Sequence, residues 1–177
     1  MRWLLPLSVF LAAFAASGWV TLNAIPGVIM ARAMDRIAGL GEGTGDVRHA
    51  PRLREDNQTI VRASPDILYS VCIYDLADGP RRVTAPWPAD GSYASVSFYD
   101  ASTNNFAVTS DRDWGVSSVT IDLVAADEGG AGGADLTIAS PTARGLILYR
   151  RVIDSGTDLD AADAERRDFT CARRSAR

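Results

Sequence analysis

The 177-residue chain contains no lysine, one histidine and two cysteines, and each scarcity removes a class of chemistry. All eighteen basic residues are arginine, a bias better explained by GC-rich codon usage than by any local chemical need. Beyond Gly41 there are 15 arginines against 21 acidic residues, a net of −6. Nucleic acid is therefore a poor partner, because phosphate binding needs a clustered basic surface. With His49 the sole imidazole, a Ser-His-Asp or Cys-His arrangement would have to recruit it, and no serine sits in a G-x-S-x-G elbow. His49 reads instead as a solvated residue of a polar arm. Cys72 and Cys171 form no CxxC pair and no Cys/His cluster, so no zinc-ligand spacing is present and no cofactor or metal is expected. Two readings of the cysteines stay open: a disulfide, which suits an exported domain, or two free thiols.

Charge is also missing from Trp3 to Ala31, a run of 29 residues. As helix it would reach about 43 Å, longer than the roughly 30 Å of a bilayer core. A membrane anchor is preferred over a cleaved signal peptide, although Ala13-Phe14-Ala15 resembles a cleavage site, because the apolar run continues well past it. Pro26 is expected to divide the segment into a spanning helix over residues 3–22, the part that meets the lipid bilayer, and a second helix over 27–39 that carries Met30, Met34 and Ile37 on one face. The glycine-rich stretch 39–45 follows a helix and lacks G-x-G-x-x-G spacing, which excludes a dinucleotide loop and leaves a hinge. The expected organisation is an anchor and juxtamembrane helix over 1–40, a linker and extended arm over 41–58, and a globular domain over 59–177. The arginines flanking the span give no clear vote on orientation. The cysteines decide for a soluble domain on the periplasmic side of a bacterial inner membrane, held by a single-pass anchor.

The domain itself reads as mainly β. Ile67 to Leu76 is apolar on both alternating faces, which predicts a central strand covered on two sides. Arg81 to Pro86 reads as an edge strand because of its prolines. In Tyr93 to Asp100, Ala94, Val96 and Phe98 alternate with Tyr93, Ser95, Ser97 and Tyr99, a semi-polar face suited to line a pocket. Strands are further expected over 117–125, 136–139 and 145–153, with the glycine-rich stretch from Asp127 as a hairpin connection. A short helix follows over 158–169 with Asp158 as its cap. Together these predict an antiparallel β-sandwich of about seven strands, preceded by a transmembrane helix and closed by a short C-terminal helix.

Polar residues cluster at the entry to the central strand: Arg62, Asp66, Tyr69 and Ser70, with Tyr99 and Asn104 as further candidates for the same mouth. Local turn chemistry around Ser64-Pro65-Asp66 is the simpler account. The functional account has Arg62, Tyr69 and a carboxylate hold an anion or polar ligand. Carboxylate groups at Asp111 and Asp113, and at Asp158, Asp160 and Asp163, lack the complete spacing of a calcium loop and read as solvated surface.

The residues Asp66, Leu68, Tyr69 and Ser70, then Asp75-Leu76 with Gly79-Pro80, then Tyr93 and Ser95, resemble the core motif of the DUF1254 family. Ala24-Ile25-Pro26, His49-Ala50-Pro51, Ser140-Pro141 and Arg144-Gly145 resemble its short, membrane-anchored bacterial branch. The resemblance implies a β-sandwich often found with a second domain of the DUF1214 family. Little chain follows Ile153, so such a partner is expected to be a separate membrane protein. A non-enzymatic interaction or binding module of the cell envelope is the leading expectation. The alternative is a hydrolase acting on a polar envelope substrate through Arg62, Asp66 and Tyr69.

Overall fold

The computed structural model describes residues 3–39, 46–54, 64–126, 128 and 132–174. One long helix, α1 (Leu4–Ala38), leads into two β-sheets. In chain order the strands are β1 (Val47–His49), β2 (Ile67–Asp75), β3 (Arg81–Pro86), β4 (Ala94–Tyr99), β5 (Asn105–Ser110), β6 (Ser118–Ala125), β7 (Leu136–Ser140), β8 (Arg144–Val152) and β9 (Thr170–Arg173). A second helix, α2 (Leu159–Arg167), lies between the last two. The larger sheet has the order β1-β2-β8-β4-β5 and the smaller β7-β6-β3-β9. The mainly β fold with a long N-terminal and a short C-terminal helix agrees with the sequence.

Alternation builds the core. Cys72 and Tyr74 from β2, Val96 and Phe98 from β4, and Ile147 and Tyr149 from β8 meet Val83, Ile121 and Leu123 of the smaller sheet, all fully buried. Apolar area removed from water in this way is the main stabilising term, roughly 25 cal/mol per Å². Cys72 and Cys171 are joined, with 6.3 Å between their Cα atoms, so the disulfide ties β2 of one sheet to β9 of the other. β2 is central in the expected sense: its inner face lies in the core, and its outer face contributes Val71 and Ile73 to a contact with α1.

Several details differ from the sequence reading. α1 runs unbroken through Pro26. Proline removes one helical hydrogen bond and is costly in an isolated helix, but here Met30 and Met34 dock the segment beyond it onto Leu146, Val71, Ile73 and Tyr99 and hold the helical course. Arg48 adds to this junction by donating from Nε to the carbonyl of Ala38 at 3.4 Å. The arm is partly a strand: β1 pairs with β2, and His49 is buried rather than solvated. β3 is not an edge, since it lies between β6 and β9. β7 runs parallel to β6, so the connection near residue 128 is not a hairpin. The two shortest strands, β1 and β9, and the edge strand β5 raise the number to nine.

α1 is the only described helix long and apolar enough to cross a membrane, with a mean hydropathy of 1.7 in its most apolar stretch. Its large apolar side chains from Trp3 to Ile29 are exposed, whereas Met30 and Met34 are buried against the sheet.

Candidate functional site

The outer face of the larger sheet is ordered in rows by strand register. The first row is Tyr69, Arg150, Ser95 and Ser110, the second Val71, Leu148, Ser97 and Val108, and the third Ile73, Leu146 and Tyr99. The last turns of α1 cover the apolar third row and reach Val71 and Leu148 of the second. The face thus grades from apolar beneath the helix to polar at the far end. Arg150 lies on this polar row and donates from Nη2 to Ser97 Oγ at 2.9 Å.

Of the six side chains singled out in the sequence, the five within the described residues divide between opposite ends of this sheet. Arg62 lies outside the described residues. Asp66 stands in an exposed turn, where its backbone N–H donates to Ser64 Oγ at 3.3 Å. With Arg52, Ile153, Asp154 and Ser155 it lines an open depression of about 420 Å³. Tyr69, at the same end, is half-buried and its hydroxyl accepts from the Ser64 N–H at 3.2 Å. Ser70 points to the opposite face of the strand and is fully buried, with Oγ 2.8 Å from Nδ1 of His49.

Tyr99 stands four residues along the sheet from the Tyr69 row, about 13 Å at the usual strand rise, and packs under α1. Asn104 belongs to the β4–β5 turn beyond it, donating through its backbone N–H and Nδ2 to the Asp100 carboxylate, both at 2.9 Å. Burial opposes the charge on Asp100, but these bonds and one from the Ser102 N–H hold its carboxyl below the usual range. Thr103 adopts a positive φ of 67° to close this turn. Asp66 and Tyr69 therefore share one end and Tyr99 and Asn104 the other.

Helix α2 closes the Asp66 end. Its cap is Asp158, which accepts from the N–H groups of Asp160 and Ala161, both at 3.1 Å, as acidic residues do at helix N-termini. Ala162 packs with Leu68 and Ile153, and Phe169, just past the helix, stacks on Tyr149 at 5.2 Å. Two buried arginines lock the closure. Arg151 pairs with Glu165 at 2.9 Å and Asp90 at 3.0 Å. Arg166 pairs with Asp163 and donates to the carbonyls of Ala50, at 2.8 Å, and Tyr69. Burial pushes the Arg166 guanidinium down from its ordinary value, and Asp163 opposes that shift. Asp163 is thus a partner of Arg166 and Arg167 rather than solvated surface.

These arginines were not singled out in the sequence, although a signal was present. In an alternating strand the adjacent pair Arg150-Arg151 must place one guanidinium on each face, so one of them had to enter the interior. The chemistry of the region is recognition and locking. His49 and Ser70 are within hydrogen-bond distance, yet Ser70 has no exposed surface on which a substrate could meet its hydroxyl. Among the described residues, no group of three or more His, Cys, Asp or Glu side chains is placed to hold a metal ion.

A family model described as a protein of unknown function, DUF1254, matches residues 44–173. The chain is similar in fold to the VPA0106 protein from Vibrio parahaemolyticus, at 17% identity and a TM-score of 0.57, over 71% of this chain and 29% of that one. A putative uncharacterized protein from Burkholderia cenocepacia matches at 15% identity and a TM-score of 0.46, over 70% of this chain and 33% of that one. The chain thus spans about a third or less of the length of these structures. No curated protein matches.

Proposed function

Since the chain belongs to the DUF1254 family, we propose that it is a membrane-anchored interaction or binding module of the bacterial envelope, with its sandwich on the periplasmic side of the inner membrane. The observation that carries this reading is the continuity of α1. One uninterrupted helix presents an exposed apolar length sufficient for a bilayer and then packs Met30 and Met34 on the outer face of the sandwich. A helix built this way holds the domain against a membrane surface at a fixed orientation, which suits docking to a neighbour in the same bilayer. The disulfide supports the periplasmic side, because such bonds persist in oxidising compartments.

The partner in this reading is a separate DUF1214-type membrane protein. Support comes from size: the similar Vibrio chain is several times longer than the part matched here. The test is affinity purification of the full chain from detergent-solubilised membranes, with identification of what accompanies it. A stoichiometric membrane partner is the expected result, and recovery as a free, soluble monomer would overturn the reading.

A further inference from the structure

The end of the larger sheet that carries Tyr99 and Asn104 is also the end at which α1 arrives. A Cβ on Gly27 would lie 3.9 Å from the carbonyl oxygen of Ala101, so the helix touches the β4–β5 turn before Met30 and Met34 carry it onto the sheet. Depth along the helix follows from its length. About twenty helical residues cover the roughly 30 Å of a bilayer core, which takes a span begun at Leu4 to Asn23. Gly27 lies about 6 Å beyond, at the level of the headgroups, which add roughly 5–7 Å on each side. The side chains agree with this depth. Val28 and Ile29, just past Gly27, are 57% and 56% exposed and continue the apolar surface of the span, and the first charged residue after Arg2 is Arg32. Apolar surface left in water costs roughly 25 cal/mol per Å². A helix that stays apolar and exposed past the level of the turn places that turn inside the lipid interface rather than above it.

We propose that the β4–β5 turn is a lipid-contact surface, seated among the headgroups of the bilayer that α1 crosses. The inference rests on the reading of α1 as a membrane anchor and adds which part of the sandwich meets the membrane. The chemistry of the turn fits that layer. Ser102, Thr103 and Asn105 are exposed and uncharged, and their hydroxyl and amide groups can donate to lipid phosphate and ester oxygens. The one carboxylate of the turn is withdrawn from the surface. Asp100 is 6% exposed, and its oxygens accept from the N–H groups of Ser102 and Asn104 and from Nδ2 of Asn104, so no exposed anion of the turn opposes the phosphates. Helix α2 and the depression lined by Asp66 lie at the opposite end of the sheet, which this seating directs away from the lipid.

The test is depth-dependent quenching in the full-length protein, reconstituted into phosphatidylcholine and phosphatidylglycerol vesicles. Ser102→Cys and Asn105→Cys are each labelled with the fluorophore NBD, and Ser155→Cys, exposed at the opposite end, serves as the aqueous reference. The native cysteines are bonded to each other and take no label under non-reducing conditions. A lipid carrying a nitroxide on its headgroup is expected to cause a loss of emission at residues 102 and 105 and none at residue 155. Ala13→Cys, in the middle of the apolar run, is read with a nitroxide on the acyl chain and reports separately whether α1 is inserted. Quenching at residue 13 with residues 102 and 105 no more quenched than residue 155 overturns this inference and leaves the anchor standing. No quenching at residue 13 overturns the anchor and the inference together. The two turn positions are separate variants, so if one does not fold the other decides.

Discussion

The hydroxyl of Tyr74 occupies the space that a side chain on Gly145 would need. Tyr74 on β2 and Gly145 on β8 are cross-strand partners, and a Cβ at Gly145 would run into both Tyr74 Oη and the carbonyl of Tyr99. The absence of a side chain lets the buried phenol reach Tyr99 O at 3.1 Å and Ser140 Oγ at 2.9 Å. Gly145→Ala should therefore destabilise by about 2 kcal/mol or more, as overpacking does when backbone stands in the way. Tyr74→Phe removes the hydroxyl and relieves part of the clash, so the double variant should be more stable than Gly145→Ala alone. Denaturant titration of the four proteins in a double-mutant cycle measures the coupling.

Gly145 was legible in the sequence only as part of a family motif, whereas its physical reason needed the register. The same holds more widely. β2, β4 and β8 were readable because each is long enough for its two faces to declare themselves. β1 and β9 are three and four residues long, too short to show a period, and depend on neighbours for their pairing. β3 looked like an edge because of its prolines, yet β9 pairs only Arg81 to Thr84, so Pro86 lies past that ladder and costs it no bond. Asp66 and Tyr69, neighbours in the chain, do share one end of the sheet, whereas Tyr99, from the semi-polar face of another strand, lies at the other. That separation comes from the antiparallel register, information that a linear sequence does not carry.

Cys72 and Cys171 are 99 residues apart, so their bond closes most of the domain into one loop. Under the chain-entropy account a loop of this length stabilises the folded state by about 4.7 kcal/mol. Adding dithiothreitol to the purified protein should lower the melting temperature, and the Cys72→Ala/Cys171→Ala variant should melt at the reduced value under both conditions. A melting temperature insensitive to reductant would show that the bridge is not formed in the purified protein.

The acid side of the stability profile should be governed in part by Asp122. It is fully buried on β6, where Arg82 on β3 binds both its oxygens, at 2.8 and 2.9 Å, and Arg174 approaches at 3.3 Å. The Arg82 hydrogen bonds hold its carboxyl below the usual range against the opposing effect of burial, with Arg174 assisting. A folded pKa below the unfolded value of about 3.9 means that the ionised form favours folding. That contribution is fully present above the unfolded pKa and is lost as pH falls through the folded one. Stability should thus decline as pH drops below about 4. Asp122→Asn should lower stability near neutrality, by removing the counter-charge of Arg82 and Arg174, and should flatten the acid limb. Urea midpoints measured from pH 7 to pH 2.5 for both proteins decide this.

Met34 links the long N-terminal helix to the sheet, and its loss should separate local from global stability. Its side chain is 7% exposed and packs with Met30, Leu146 and their neighbours in a cluster distinct from the core between the sheets. Met34→Ala removes buried thioether and methylene contacts, a loss of about 2 kcal/mol where the site does not collapse. Because the inter-sheet core and the disulfide are untouched, the cost should fall on the docking of α1 rather than on the sandwich. Hydrogen exchange should then accelerate in the last turns of α1, around residues 30–38, while amides of β3 and β6 keep their wild-type protection. Met34→Asp should give a larger effect of the same pattern, since it places a carboxylate against Leu146 and Ile73. If β3 and β6 lost protection to the same degree as α1, helix and sandwich would be one cooperative unit and not a domain with a docked helix.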